Sequence, residues 1–394
     1  MQCTIALVGI VFVASVNAQA SNSICGANTG PSTCGTTDDV FLRTNKVELG
    51  IHPAASFGSQ SSAPSSYVYS AWCSNVTYPN TCQLGFICDY DDNGLSTGTP
   101  PFSGDYFVPG TPVEGWTLQY TRQDSNVTRH FTNAGLQGSF DIHPDSISIT
   151  SDNTVAQRSV WVGHTNETQI PATTTLPYGR KMFYVDTCIT NISPTNLLGL
   201  YYMRNIDPDQ QQPWNNNYET FNYVQYQPSS FGYTNYVNPS NPDMAVVVSR
   251  GDTGYEHFVL ALGAIDSRAF ASNGGFYNTH PPTYYDSDTH WQNFGGASVT
   301  LADTNLMSYR DEGINLVFKE NVLPPGEETC FRTYYGLSTS FETDIVGDGC
   351  MDMDGLVTCQ TVQDLGLCDA IVPGSTTPLS EICPLSCGCC VIDG

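Results

Sequence analysis

The residues whose types and spacing could do chemistry are few. CDYDDNGLS, residues 88–96, sets Asp89, Asp91 and Asn93 at alternate positions ahead of Gly94. That spacing reproduces the first half of a Ca²⁺ loop, in which alternate side-chain oxygens converge on the ion and the glycine permits the sharp turn. The Glu that completes such a loop is missing, and Pro100 stands at its place. The stretch therefore reads either as a structural Ca²⁺ site with Asp89, Asp91 and Asn93 as ligands, or as an ordinary turn built from the usual turn residues. NIDPDQ adds Asp207 and Asp209, and YYDSDTHW adds Asp286 and Asp288, two acidic pairs open to the same two readings.

A second stretch, 214–242, interleaves aromatic residues with amides and hydroxyls. Aromatic faces stack on sugar rings while Asn and Gln bond the hydroxyls, and aromatics are equally favoured at interface cores. Trp214, Tyr218, Phe221, Tyr223 and Tyr226 are thus candidates for a glycan-binding or self-association surface. The plainer reading is an irregular loop with half its rings buried. Catalysis has no comparable signal: H-E-x-x-H, a phosphate-binding glycine loop and a Cys-His signature are all missing from the sequence. Glu256 beside His257, and His280, His290 and Trp291 near Asp286 and Asp288, are a pool from which a polysaccharide hydrolase or lyase would have to draw its carboxylates. No catalytic residue is assigned from them.

The elements that must position these residues are β throughout. Short runs rich in Val, Ile, Tyr, Phe and Thr recur between clusters of Gly, Pro, Asn and Ser. They are KVELGIH (46–52), GWTLQYT (115–121), SISIT (146–150), SVWVGH (159–164), KMFYVDTCIT (181–190), LLGLYYMRNI (197–206), MAVVVS (244–249), FVLALG (258–263), INLVFKE (314–320) and CFRTYYGL (330–337). Strands at this spacing predict an all-β fold, a large antiparallel β-sandwich over 21–345, followed by a small disulfide-rich module over 346–394. Cys188 and Cys330 each sit in a core-strand pattern, and the expectation is that they pair across the sandwich. Closing a loop of about 140 residues in this way contributes ~5 kcal/mol in the chain-entropy picture. Cys25, Cys34, Cys73, Cys82 and Cys88 are expected to tie down N-terminal loops, with their pairing left open by the spacing.

Residues 1–20 carry an apolar run, Ile5 to Val16, and then Ala18-Gln19-Ala20, which reads as a secretory signal peptide with its cleavage site. The run is too short to span a bilayer, and no later stretch is long enough. Of fifteen cysteines, Cys3 goes with the signal, and the remaining fourteen suit a disulfide framework in an oxidising compartment. Asn75, Asn126, Asn166 and Asn191 each begin a glycosylation sequon. A balance of 38 acidic against 13 basic residues, net charge −25, argues against nucleic acid or anionic membrane as partners. It permits divalent cations or basic partners, and it also serves plain solubility.

The C-terminus ends in LSEICPLSCGCC, 379–390. From Cys350 the spacing runs through Cys359, Cys368, Cys383, Cys387 and Cys390, closing with C-x3-C-x2-C, and Asp352 follows the first cysteine by two places. This resembles the ShK toxin-like (ShKT) six-cysteine domain. The resemblance covers the last 45 residues and implies the pairs Cys350–Cys390, Cys359–Cys383 and Cys368–Cys387, with Cys389 left outside the scheme. Channel block in that family is understood to rest on a Lys-Tyr pair between the third and fourth cysteines. Here that segment is DAIVPGSTTPLSEI, with neither residue, so the module reads as a staple. DYFVPGTPVEGWTLQY (105–120) and LYYMRNIDPDQ (200–210) resemble segments of uncharacterised secreted microbial β-domains, which implies no activity.

Together these features predict a secreted, disulfide-stapled, acidic glycoprotein with a structural or adhesive role in an extracellular layer or surface appendage. Its expected partners are itself or extracellular glycans, with structural Ca²⁺ as the one cofactor in view. The alternative is a lectin-like or polysaccharide-degrading secreted protein.

Overall fold

The computed structural model describes residues 39–75, 82–105, 114–133, 141–152, 156–274, 280–285, 307–339, 341 and 345. The expected leader, Cys25, Cys34, residues 286–291 and the six-cysteine module from Cys350 to Cys390 lie outside the described residues.

The strands are β1 (Val40–Arg43), β2 (Val47–Ile51), β3 (Phe86–Cys88), β4 (Glu114–Arg122), β5 (Thr128–Thr132), β6 (Pro144–Asp152), β7 (Ala156–His164), β8 (Thr168–Pro177) and β9 (Met182–Asn191). They continue as β10 (Leu197–Ile206), β11 (Thr220–Tyr226), β12 (Met244–Arg250), β13 (Val259–Ile265), β14 (Ala269–Asn273), β15 (Met307–Arg310), β16 (Ile314–Leu323) and β17 (Glu328–Gly336). Each of the ten runs picked out by alternation contributes a strand. Helix is confined, among the described residues, to short pieces such as α1 (Val68–Cys73), α2 (Gln212–Asn215) and α3 (Pro281–Tyr285).

Two antiparallel sheets make the sandwich, one ordered β14-β16-β10-β4-β5 and the other β15-β11-β12-β13-β17-β9-β8-β7-β6. Alternation along the strands fills the space between them: Trp116, Leu118 and Tyr120 from β4 belong to the same buried cluster as Phe183 and Val185 from β9 and Tyr335 from β17. The opposite face of the larger sheet is also apolar. There Met244, Val246 and Val248 of β12, with Tyr184 and Tyr334, are covered in part by Phe341 and Ile345. This is why MAVVVS is buried at nearly every position instead of alternating.

Cys188 and Cys330 are disulfide-bonded. They stand opposite each other on β9 and β17, neighbouring strands of the same sheet, so the bond does not cross the sandwich as the sequence suggested. Alternation shows that a residue lies in a strand of a layered fold but does not say which layer holds its partner. A second disulfide joins Cys73 and Cys82, while Cys88 is buried as a free thiol.

A third sheet, β1-β2-β3, sends the loop His52–Phe57 into the sandwich. Successive loop carbonyls are met by side chains from the sheets. Trp161 Nε1 donates to Pro53 O at 2.7 Å, Trp116 Nε1 to Ala54 O at 2.8 Å, and Arg204 Nη1 to Ala55 O at 3.0 Å. Ala55 holds a left-handed φ of 58°, a conformation that costs a non-glycine residue about 1 kcal/mol or more and persists only under such restraint. At the centre is Glu114. One carboxylate oxygen accepts from Arg204 Nη1 (3.1 Å) and Tyr335 Oη (2.6 Å), and the other accepts from the Phe57 amide (2.5 Å). Burial pushes the Glu114 carboxyl upward, and these donors pull against it.

Removing one member of a buried ion pair leaves its partner uncompensated in a low-dielectric core and costs about 3–5 kcal/mol. Glu114→Gln keeps the shape and removes the charge, so urea unfolding should show a loss of about that size. A loss below about 1 kcal/mol would mean that Arg204 is satisfied without Glu114.

Candidate functional site

Two groups of polar side chains converge in this fold. One lines a cleft of about 580 Å³ at the edge of the sandwich, where β5 and β6 are the outermost strands of their sheets. Its walls are Thr128–Phe131 of β5, Asp141 and Ile142 just before β6, and the β7–β8 turn from His164 to Glu167. Glu167 is buried and braced: its carboxylate accepts from Tyr120 Oη (3.2 Å) and Arg122 Nη1 (3.3 Å), and Arg129 lies at 3.6 Å. His164 Nδ1 is 2.6 Å from Asp145 Oδ2, which fixes its ring at the rim. Asp141 accepts from the Thr132 amide at 2.8 Å. The floor is tied to the inserted loop, since Asn133 donates to both Ala54 O and Ile142 O. Arg129, His130, Asp141 and Asn166 present mixed donors and acceptors around the half-buried Phe131 ring, with no run of one sign.

The other group is acidic. Asp207 and Asp209 follow β10 directly, and Asp311 follows β15. One carboxylate oxygen from each lies within 4.8 Å of the others. Asp207 and Asp209 are only 5% and 6% exposed, and Oδ1 of each is buried without a hydrogen-bond partner. Asp105 accepts the Asp209 amide and is pushed up to about 7, chiefly by burial. Burial and then mutual repulsion raise Asp207 and Asp209 above the ordinary carboxylate range. Of this cluster the sequence offered only the Asp207–Asp209 pair.

The turn at 88–96 is organised differently. Asp89 accepts from Lys46 Nζ at 2.7 Å and from the Gly94 amide at 3.1 Å, while Asp91 accepts from Asn93 Nδ2. Asp92 takes Lys46 and Lys181, so the positive charge in this turn comes from two lysines.

The candidate aromatics do not share one surface. Trp214 packs on Trp72 and Phe102, with ring centroids 5.3 and 5.4 Å away. Tyr218 Oη accepts from Gln212 Nε2. Phe221 and Tyr223 alternate to the outer face of β11, where Phe221 lies 4.5 Å from Tyr309. Tyr223 and Tyr226 pack there against the β12 valines. Glu256 is exposed and accepts the Gly254 amide, and His257 stacks on Tyr90. Asn191, a sequon residue, is fully buried and donates to Thr195 O and Leu323 O, so folding seals it, whereas Asn126 and Asn166 are exposed. The cleft residues escaped the sequence reading. Their one signal was the pair of sequon-bearing turns, SNVTRHF and GHTNETQ, that flank them.

No family model and no curated protein matches this chain. Among solved structures, the galactosidase domain of the α-galactosidase–sucrose kinase AgaSK is similar at TM-score 0.34 and 10% identity, covering 76% of this chain and 40% of that one. The GH36 α-galactosidase AgaA from Geobacillus stearothermophilus gives 0.33 and 9%, covering 76% and 41%. A putative aldose 1-epimerase from Escherichia coli K12 gives 0.31 and 10%, covering 77% and 99%. The chain thus spans about two fifths of the galactosidases and nearly all of the epimerase.

The raised carboxyls have a thermodynamic consequence. Their folded pKa values lie above the unfolded value near 4, so the folded state keeps protons that the unfolded state has lost. The stability that these groups contribute is therefore fully present below about pH 4 and declines as pH rises through the folded values. In EDTA, the wild-type Tm should fall more between pH 5 and pH 8 than that of Asp207→Asn. Parallel profiles for the two proteins would show that Asp207 is not raised.

Proposed function

We propose that this protein binds extracellular carbohydrate, with the edge cleft between β5 and the β7–β8 turn as its binding site. The observation that carries this reading is the convergence of Arg129, His130, Asp141, His164 and Asn166 around Phe131 in a concavity of the size small-molecule sites occupy. Sugars present hydroxyls that both donate and accept, and apolar C–H faces that pack on rings. A mixed set of fixed donors and acceptors beside an aromatic edge meets both demands. The balanced charge of the cleft suits a neutral glycan better than an anionic one, since Glu167 already offsets Arg129. Two disulfides and a scarcity of lysine suit service outside the cell. Binding is preferred over hydrolysis because Glu167 is already engaged by Tyr120, Arg122 and Arg129. Assembly through one aromatic surface is the weaker reading, because the aromatics of 214–242 divide between three separate packing environments.

Isothermal titration and array binding with neutral mono- and oligosaccharides test the reading. They should be run also on Asn166→Gln, since a glycan on Asn166 would stand at the rim. Binding should be lost about tenfold in His130→Ala and in Asp141→Ala, each such contact contributing about 1.4 kcal/mol, with Tm unchanged. An absence of binding at millimolar sugar in both proteins would overturn it, as would binding that neither substitution affects.

A further inference from the structure

We infer that Asp207, Asp209 and Asp311, backed by Asp105, form a binding site for one calcium ion. Three observations carry this beyond an acidic cluster. First, Asp207 and Asp209 are more than nine-tenths buried, each carries an oxygen without a partner, and a carboxylate oxygen of each lies within 4.8 Å of one from Asp311. Buried polar atoms in folded proteins are almost always partnered, and an orphaned carboxylate oxygen is among the costliest exceptions.

Second, no lysine or arginine compensates the cluster. The chain's thirteen Lys and Arg residues are all among the described residues. None makes an ion pair with Asp105, Asp207, Asp209 or Asp311. Arg204 goes to Glu114, and Lys46 and Lys181 go to Asp89 and Asp92.

Third, the donor set is hard oxygen throughout, which selects Ca²⁺ or Mg²⁺ over the softer metals. One carboxylate oxygen from each Asp lies within 4.8 Å of the others, close enough to share one ion, and Ca²⁺ accepts irregular carboxylate sets where Mg²⁺ demands near-ideal octahedral geometry and keeps most of its waters. Gln210 Oε1 and Gln212 Oε1, two more buried acceptors without partners, lie in the same stretch of chain. The ion would join two segments, the end of β10 and the β15–β16 turn, beside the 103–105 extension that pairs with β3.

The test is calorimetric titration of Ca²⁺ into the EDTA-stripped, dialysed full chain, with Tm measured in Ca²⁺, in Mg²⁺ and in EDTA. Ca²⁺ should bind and raise the Tm, and Mg²⁺ should do so less. Asp311→Asn, at an exposed position, should weaken binding at least tenfold. Asp207→Asn should raise the Tm in EDTA, by relieving repulsion, and should abolish the gain from Ca²⁺. Asp91→Asn should leave both intact. No Ca²⁺ heat and equal Tm values would overturn the inference. So would a Ca²⁺ response that survives Asp207→Asn and Asp311→Asn but disappears in Asp91→Asn, which would place the ion in the 88–96 turn. None of these readouts depends on the glycan cleft.

Discussion

Glu114 is the point through which the layers of this protein are fastened. It starts β4 in the smaller sheet, accepts the hydroxyl of Tyr335 from the larger one, and accepts the Phe57 amide of the loop between them. A charge in such a place is tolerable only because Arg204 stands beside it and every donor is fixed by the backbone that carries it. The same loop then passes its carbonyls to Trp116, Trp161 and Asn133. Through Asn133 the ordering reaches Ile142 and so the floor of the cleft. The cleft is therefore shaped from behind, by a buried polar network, and not by the residues that face solvent.

Much of the fold was legible because hydrophobic alternation is a local property. KMFYVDTCIT or INLVFKE can occupy few environments other than a strand with one buried face. Some strands that escaped notice lacked that signature. β8, TQIPATTTLP, is a run of threonines with two prolines, held between β7 and β9 by pairing partners distant in sequence. The sites were less legible for the same reason. Asp207 and Asp209 were visible as a pair, but Asp105 and Asp311 join them from about a hundred residues away on either side. Arg129 and His164 meet only because two hairpin turns end at the same edge of the sandwich.

The charge balance also looks different once the basic residues are placed. With 13 cations against 38 acids, several of the positive charges have a specific post: Arg204 in the core, Lys46 and Lys181 at one turn, and Arg332 on Asp186 over the Tyr184 ring. A chain that uses cations this sparingly leaves most of its acids to water. Where it buries several of them together, the compensation has to come from protons or from solution.

The bond between Cys188 and Cys330 gives the molecule a closed covalent circuit. It runs along β9, through the central strands of both sheets, and back along β17 to its starting point, 142 residues later. A protease that cuts an exposed turn inside that circuit, at 251–256 for instance, opens the ring without producing two pieces. The flanking strands stay paired and tethered, and the severed ends remain near each other in the sheet. Damage of that kind leaves the molecule whole for as long as the sulfur bridge lasts, and under reducing conditions the same cut would release a fragment carrying part of both layers.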